Sequence, residues 1–231
     1  MKKFCILLFI SALVVGFIVT NIFSFGRSGF PNFDISFGRV RGSGNIVKDL
    51  RNTPAFSKLN VSGAFDVDVT AGKDLKVEIE ADDNLMPLIE TEVSDETLSI
   101  STNRGVSPKS SLKVHITAPL IDSVETSGAS SVALSDLSGE QLSIDSSGAS
   151  KVTAAGNVSK LTVELSGASK LNAENLTTES AAIDGSGASK AFVNVNRTLN
   201  ADLSGASSVI YSGTPANIIK NTSGGASVRQ K

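Results

Sequence analysis

The chain has 231 residues with 21 basic and 23 acidic side chains, a net charge of −2, one His and one Cys. That balance offers no basic patch to release counterions from a phosphate backbone, and a lone Cys with a lone His makes neither an intrachain disulfide nor a His/Cys zinc site. Hydrophobic residues, at 40%, suffice for a core, but ten of the eleven Phe precede residue 66, so the second half has to pack thin aliphatic layers on close backbones.

Residues 1–26 read as a targeting segment. Lys2 and Lys3 precede an apolar stretch from Phe4 to Ile22, and Ser24-Phe25-Gly26 offers small residues to a signal peptidase. The stretch is longer than the usual h-region and approaches the roughly 20 residues that span a bilayer. A cleaved signal peptide and a retained N-terminal membrane anchor are both open, and in either case the remainder is exported. Cys5 lies before the apolar run and is no lipoprotein acceptor. Residues 27–41 read as a tether, followed by a first edge strand near Asn45-Ile46-Val47.

The segment 66–119 alternates as strands in Val67/Val69, Leu75/Val77/Ile79, Leu98/Ile100 and Leu112/Val114/Ile116, with one short helical turn limited by Pro87. It is expected to form a wider, less regular part of the same β body. His115, in the last of these runs, reads as an outward strand residue, and Asp66 and Asp68 share one strand face.

From residue 120 to 228 the chain repeats. Ser-Gly-Ala-Ser recurs around Gly128, Gly148, Gly167, Gly187 and Gly205, with steps of 20, 19, 20 and 18 residues. A sixth copy, Ser223 to Ser227, has an extra Gly and is aligned on Gly225, and Gly63 marks a degenerate early copy. Even offsets from the glycine are apolar: Val124, Ile144, Val163, Ile183 and Ala201 stand four before it, and Val132, Val152, Leu171, Ala191 and Val209 four after. Odd offsets are polar. Glu125, Asp145, Glu164, Asp184 and Asp202 stand three before, while Lys151, Lys170 and Lys190 stand three after in three of the copies. Period two through a fixed glycine means strand with one buried face. A unit of about 19 residues cannot bury its apolar face alone, so the units must stack. The fold class expected is all-β, a right-handed parallel β-helix or β-solenoid. The glycine forms a corner that a Cβ would block, the Ser two residues after it stacks inward, and Val228 to Lys231 blunt the last edge.

Several spaced motifs resemble a known family. They are Gly42-Ser43-Gly44-Asn45-Ile46-Val47, Val61-Ser62-Gly63-Ala64 within Phe56 to Val69, Ala81-Asp82-Asp83-Asn84-Leu85 to Leu88-Ile89-Glu90-Thr91, Ile116-Thr117-Ala118-Pro119 and the serial Ser-Gly-Ala-Ser. Over residues 42–228 the chain is similar to the putative auto-transporter adhesin, head GIN domain family. The resemblance implies an exported bacterial envelope protein, common in Bacteroidota, with a β-helix-like fold. It carries over no catalytic residue.

The chemistry legible in the residues is a surface ladder. The five carboxylates would lie about 5 Å apart in successive coils, with the three lysines six positions away on the same face as partial neutralisation. A weak divalent-cation ridge is the sharper alternative, although calcium wants about six to eight oxygens. The Ser columns read as packing. No cofactor and no catalytic residue is expected. The expected function is a non-enzymatic cell-envelope module that binds an unknown protein or glycan at the cell surface, and the membrane through residues 1–26 if these are retained. An end-to-end assembling component and a β-helix polysaccharide-active enzyme are the alternatives.

Overall fold

The structure, a computed structural model, describes residues 38–231, so the leader and the tether up to residue 37 lie outside the described residues. Two short strands, β1 (Val40–Arg41) and β2 (Ile46–Arg51), lead into β3 (Lys58–Gly63) and β4 (Phe65–Ala71). Next come β5 (Lys76–Asp82), a 3-10 turn (Met86–Leu88), β6 (Ile89–Ser94), β7 (Thr97–Thr102), β8 (Val106–Ser107) and β9 (Leu112–Ala118). The regular part is β10 (Ser123–Gly128), β11 (Ser131–Ser146), β12 (Lys151–Leu165), β13 (Lys170–Gly185), β14 (Lys190–Leu203), β15 (Ser208–Ser212), β16 (Asn217–Thr222) and β17 (Ser227–Gln230). Pro87 sits in the first turn of the 3-10 element, where its missing N–H has no partner to lose.

All but β1 and β8 join one 15-stranded sheet wound into a β-solenoid. Strands β11 to β14 pair parallel and in register, so like residues stack at the strand spacing of about 4.8 Å. Val124, Ile144, Val163, Ile183 and Ala201 form one column, and Val132, Val152, Leu171, Ala191 and Val209 another. Every one of these ten is buried. A fully buried Val, Leu or Ile contributes about 1.5–3 kcal/mol. Within one winding, Leu161, Val163, Leu165 and Leu171 are all buried. Register shifts at Leu134/Leu137, Thr153/Ala155, Ala173/Thr177 and Thr178/Ser180 cluster in the connecting stretches. These bulges absorb the unequal steps between copies and leave both packed faces in step.

The corner is a ladder of glycines. Gly128, Gly148, Gly167, Gly187 and Gly205 all have φ between 69° and 84°. A Cβ on Gly167 would lie 2.6 Å from the Gly148 carbonyl oxygen, and the same holds down the column. That oxygen accepts the N–H of the next winding's alanine, as in Ala168 to Gly148 at 2.8 Å. In the sixth copy Gly224 has φ +71° and faces the Gly205 oxygen, whereas Gly225 donates its N–H there as the alanines do. The corner glycine is therefore Gly224, which corrects the alignment on Gly225. The extra glycine replaces the alanine and lengthens nothing, so Ala226 takes the inward serine's place.

Inside the corner, Ser130, Ser150, Ser169, Ser189 and Ser207 are all buried. Ser150 Oγ donates to the Ser147 carbonyl at 2.7 Å and lies 2.7 Å from Ser146 Oγ, and Thr126 Oγ1 donates to Ser146 Oγ at 3.0 Å. Ser207 Oγ bonds the Ser204 and Gly185 carbonyls. Where Leu165 stands in the place of Ser146, Ser169 Oγ finds no protein partner.

Spatial order departs from chain order in the first third. Strand β3 pairs parallel with β7 on one side and with β10 on the other, while β4 lies between β9 and β11. The winding 58–71 is thus sandwiched between 97–118 and the first regular coil. Antiparallel strands close this end: β5 on β9, β2 on β5 and β6 on β7. The reversal explains why 66–119 looks irregular, and Phe56, Phe65, Leu85, Met86 and Ile89 are buried there. On the outer surface Lys48 and Lys76 both contact Glu78, which is lowered to about 2 chiefly by Lys76 and then by Lys48. Such exposed pairs add little stability.

A polar clasp locks the N-terminal strand to this end. The buried Asp82 accepts the N–H of Gly44 and that of Lys109, the latter at 3.2 Å. The next carboxylate, Asp83, accepts from the Ser43 hydroxyl and from Asn45 Nδ2. These two donors, Ser43 first, hold its carboxyl below the usual carboxylate range. Asn84 Oδ1 accepts the Ser43 N–H and its Nδ2 donates to the Arg41 carbonyl. Two motifs about forty residues apart thus meet as one unit.

Candidate functional site

The most prominent outward feature follows from parity. With positions four before the corner buried, positions three before it must face water. Register makes Glu125, Asp145, Glu164, Asp184 and Asp202 direct neighbours in that order. All five are exposed. Together with Ser147, Ser166, Ser186 and Ser204 they line a shallow open trough of about 510 Å³ beside the corner. The carboxylate run has neutral neighbours at both ends. Asn60 pairs with Glu125 and donates to its Oε2 at 3.2 Å, and Asn221 stands beside Asp202.

Each carboxylate stands one strand spacing from the next, and two unit charges at about 4 Å interact by only about 1 kcal/mol in water. The row is tolerated because it is wet. Its groups run in line rather than converging, and among the described residues no three acidic, His or Cys side chains gather as a metal would require.

The lysines belong to a different flank. Lys151, Lys170 and Lys190 do stack in register. The positive-φ corner separates them from the acids, and among the described residues no ion pair joins the two columns. Lys170 and Lys190 instead lie over the Phe192 ring, at 5.4 and 5.0 Å from its centre. The expectation of one shared face is corrected: parity identifies inside and outside, but it does not survive as a single plane across a bend.

His115 is half exposed, with Nδ1 3.4 Å from Asp68 Oδ2 across the β4–β9 pair. Asp66 and Asp68 are both exposed on β4. The sequence pattern alone did not tie the outer Ser column, or the flanking Asn60 and Asn221, to the row of acids. The serine at the first position of each Ser-Gly-Ala-Ser was its own signal, one odd offset from the glycine.

A family model described as "Putative auto-transporter adhesin, head GIN domain" matches residues 55–215. No curated protein matches. Among solved structures, a putative adhesin from Bacteroides fragilis is similar with a TM-score of 0.70 and 20% identity, covering 83% of this chain and 100% of that one. A putative adhesin from Parabacteroides merdae gives 0.56 at 17% identity, covering 84% and 99%. A putative lipid binding protein from Parabacteroides distasonis gives 0.56 at 18% identity, covering 84% and 99%. At these identities the likeness is one of fold.

Proposed function

The chain belongs to the putative auto-transporter adhesin, head GIN domain family, and from that premise we propose that it is an exported, non-enzymatic cell-envelope module that uses the acidic trough as its contact line for a surface protein or glycan. The observation that carries the reading is the row itself. One carboxylate recurs per winding along five windings, joined by a serine hydroxyl in four of them, in a shallow open channel. Such a surface suits a long partner held by many equal contacts. Catalysis calls for the opposite, unlike groups converging on one point. Either fate of residues 1–26 delivers the solenoid outside the cytoplasm, and a retained segment would tether it to the membrane.

The test is a glycan array and a cell-binding assay with the full chain. Binding by the wild-type chain is expected, with a loss of about tenfold or more when Asp145, Glu164 and Asp184 are replaced together by Asn, Gln and Asn, a few charge-assisted hydrogen bonds being worth that much. Replacing Lys151, Lys170 and Lys190 with Ala is expected to leave binding unchanged. Uniform silence on the array and on cells, or turnover of pectin, alginate or chondroitin, would overturn the reading.

A further inference from the structure

Among the described residues, the β6 edge at one end of the solenoid is acidic, the β16–β17 edge at the other is basic, and each is paired on one side alone. At one end β6 pairs, among the described residues, with β7 alone. Glu90 and Glu92 on it, with Asp95 and Glu96 in the turn that follows, are all exposed. Residues 89–103, which form this edge, contain four acidic side chains and no basic one. At the other end β16 pairs only with β14, and β17 only with β15. Residues 203–231 contain Lys220, Arg229 and Lys231 and no acidic side chain, with Lys231 paired at 2.8 Å to Glu174. Strands β6 and β17 terminate the same sheet path.

The basic end is not finished as a lid. Every residue of β16 is exposed, with Ile218 at 38% and Ile219 at 55%. Register continues the inner columns into it, so Ile218 follows Leu199 and Lys220 follows Ala201. A lysine thus occupies the place that Leu, Val, Ile and Ala fill in the windings before it, with its Nζ 5.5 Å from the centre of the Tyr211 ring. An inward charge at an edge repels a bare apolar strand. An edge that brings carboxylates meets no such penalty, and this chain carries one at its other end.

We propose that the basic β16–β17 end docks on the acidic β6 end of a second copy, so that solenoids associate head to tail. The contact is heterologous, since unlike surfaces meet, and it therefore leaves a free end on every dimer and extends with concentration. Because opposite charges guide it, it weakens with salt. It is independent of the partner-binding trough on the flank.

Sedimentation velocity of the full chain in mild detergent, over a concentration series, tests this. The weight-average sedimentation coefficient is expected to rise with concentration at about 50 mM salt, with apparent affinity falling about tenfold by 300 mM. A Lys220→Glu, Arg229→Glu chain and a Glu90→Lys, Glu92→Lys chain are each expected to stay monomeric. Their equimolar mixture is expected to associate, because each acidic end then meets a basic one. Circular dichroism checks that both variants are folded, and the salt series on the wild-type chain stands if either is not. A wild-type monomer at every concentration, association unaffected by salt or by the variants, or a mixture of folded variants that stays monomeric would each overturn the proposal.

Discussion

Replacing Gly167 with alanine is expected to cost about 2–5 kcal/mol, from roughly 1–2 for a side chain in the left-handed region and a further 1–3 for the disturbed hydrogen bond. The backbone there has φ +69°, and the new Cβ would meet the Gly148 carbonyl oxygen at 2.6 Å. That oxygen already holds the Ala168 N–H at 2.8 Å. The corner can make room only by stretching that bond, and the displaced winding then sits badly on Gly187 above it. For a domain stable by about 5–15 kcal/mol this is a large share. Urea unfolding should move to clearly lower denaturant, while Ser166→Ala at the exposed neighbouring position should shift it by less than about 0.5 kcal/mol. The sixth copy supplies an internal control. Gly224→Ala should destabilise, but Gly225→Ala should be tolerated, since its nearest new contact is 3.6 Å and its φ is not positive. Equal effects at 224 and 225 would refute the corner assignment.

Asp82→Ala is expected to cost about 1–3 kcal/mol by removing two part-buried hydrogen bonds from backbone N–H groups, at about 0.5–1.5 each. Those donors belong to Gly44 and Lys109, on two separate segments that the carboxylate ties together. Gly42 is drawn into the same contact, as a Cβ on it would lie 2.3 Å from Asp82 Oδ2. Loss of the clasp should release β1 and β2 before the rest of the solenoid, because among the described residues β2 pairs with β5 alone. Limited proteolysis should then cut between residues 42 and 57 in Asp82→Ala while a core beginning near β3 survives. Asp82→Asn keeps the shape and one acceptor, so it should fall between the two. Unchanged protease resistance in Asp82→Ala would show that the clasp holds nothing.

The regular coils were legible because one cause writes both sequence and structure there. A stacked strand with one wet face imposes period two, and a corner with no room for a Cβ imposes glycine, so Val163, Glu164 and Gly167 each carry their position openly. The inward serine was legible for the same reason, since Ser169 and Ser189 fall at an even offset. Other features were hidden because they arise from contacts distant in sequence. Nothing local in Lys58–Ala71 says that Thr97–Ala118 will lie beyond it, as either winding could follow the other with its aliphatics equally buried. The Gly42–Asn45 and Asp82–Asn84 motifs were each visible, but their meeting depends on β2 turning back on β5. The acid and lysine columns share parity and so looked coplanar, yet parity does not encode the angle of the corner between them. Gly224 and Gly225 could be told apart only by which carbonyl each faces.

Like side chains of successive windings stand over one another, and both the buried columns and the acidic row depend on it. Double electron–electron resonance on spin labels at Glu125→Cys and Asp202→Cys, in a Cys5→Ser background, measures this directly. Four steps of about 4.8 Å predict a narrow distribution near roughly 19 Å. A broad distribution, or one centred beyond about 30 Å, would contradict the stacked ladder.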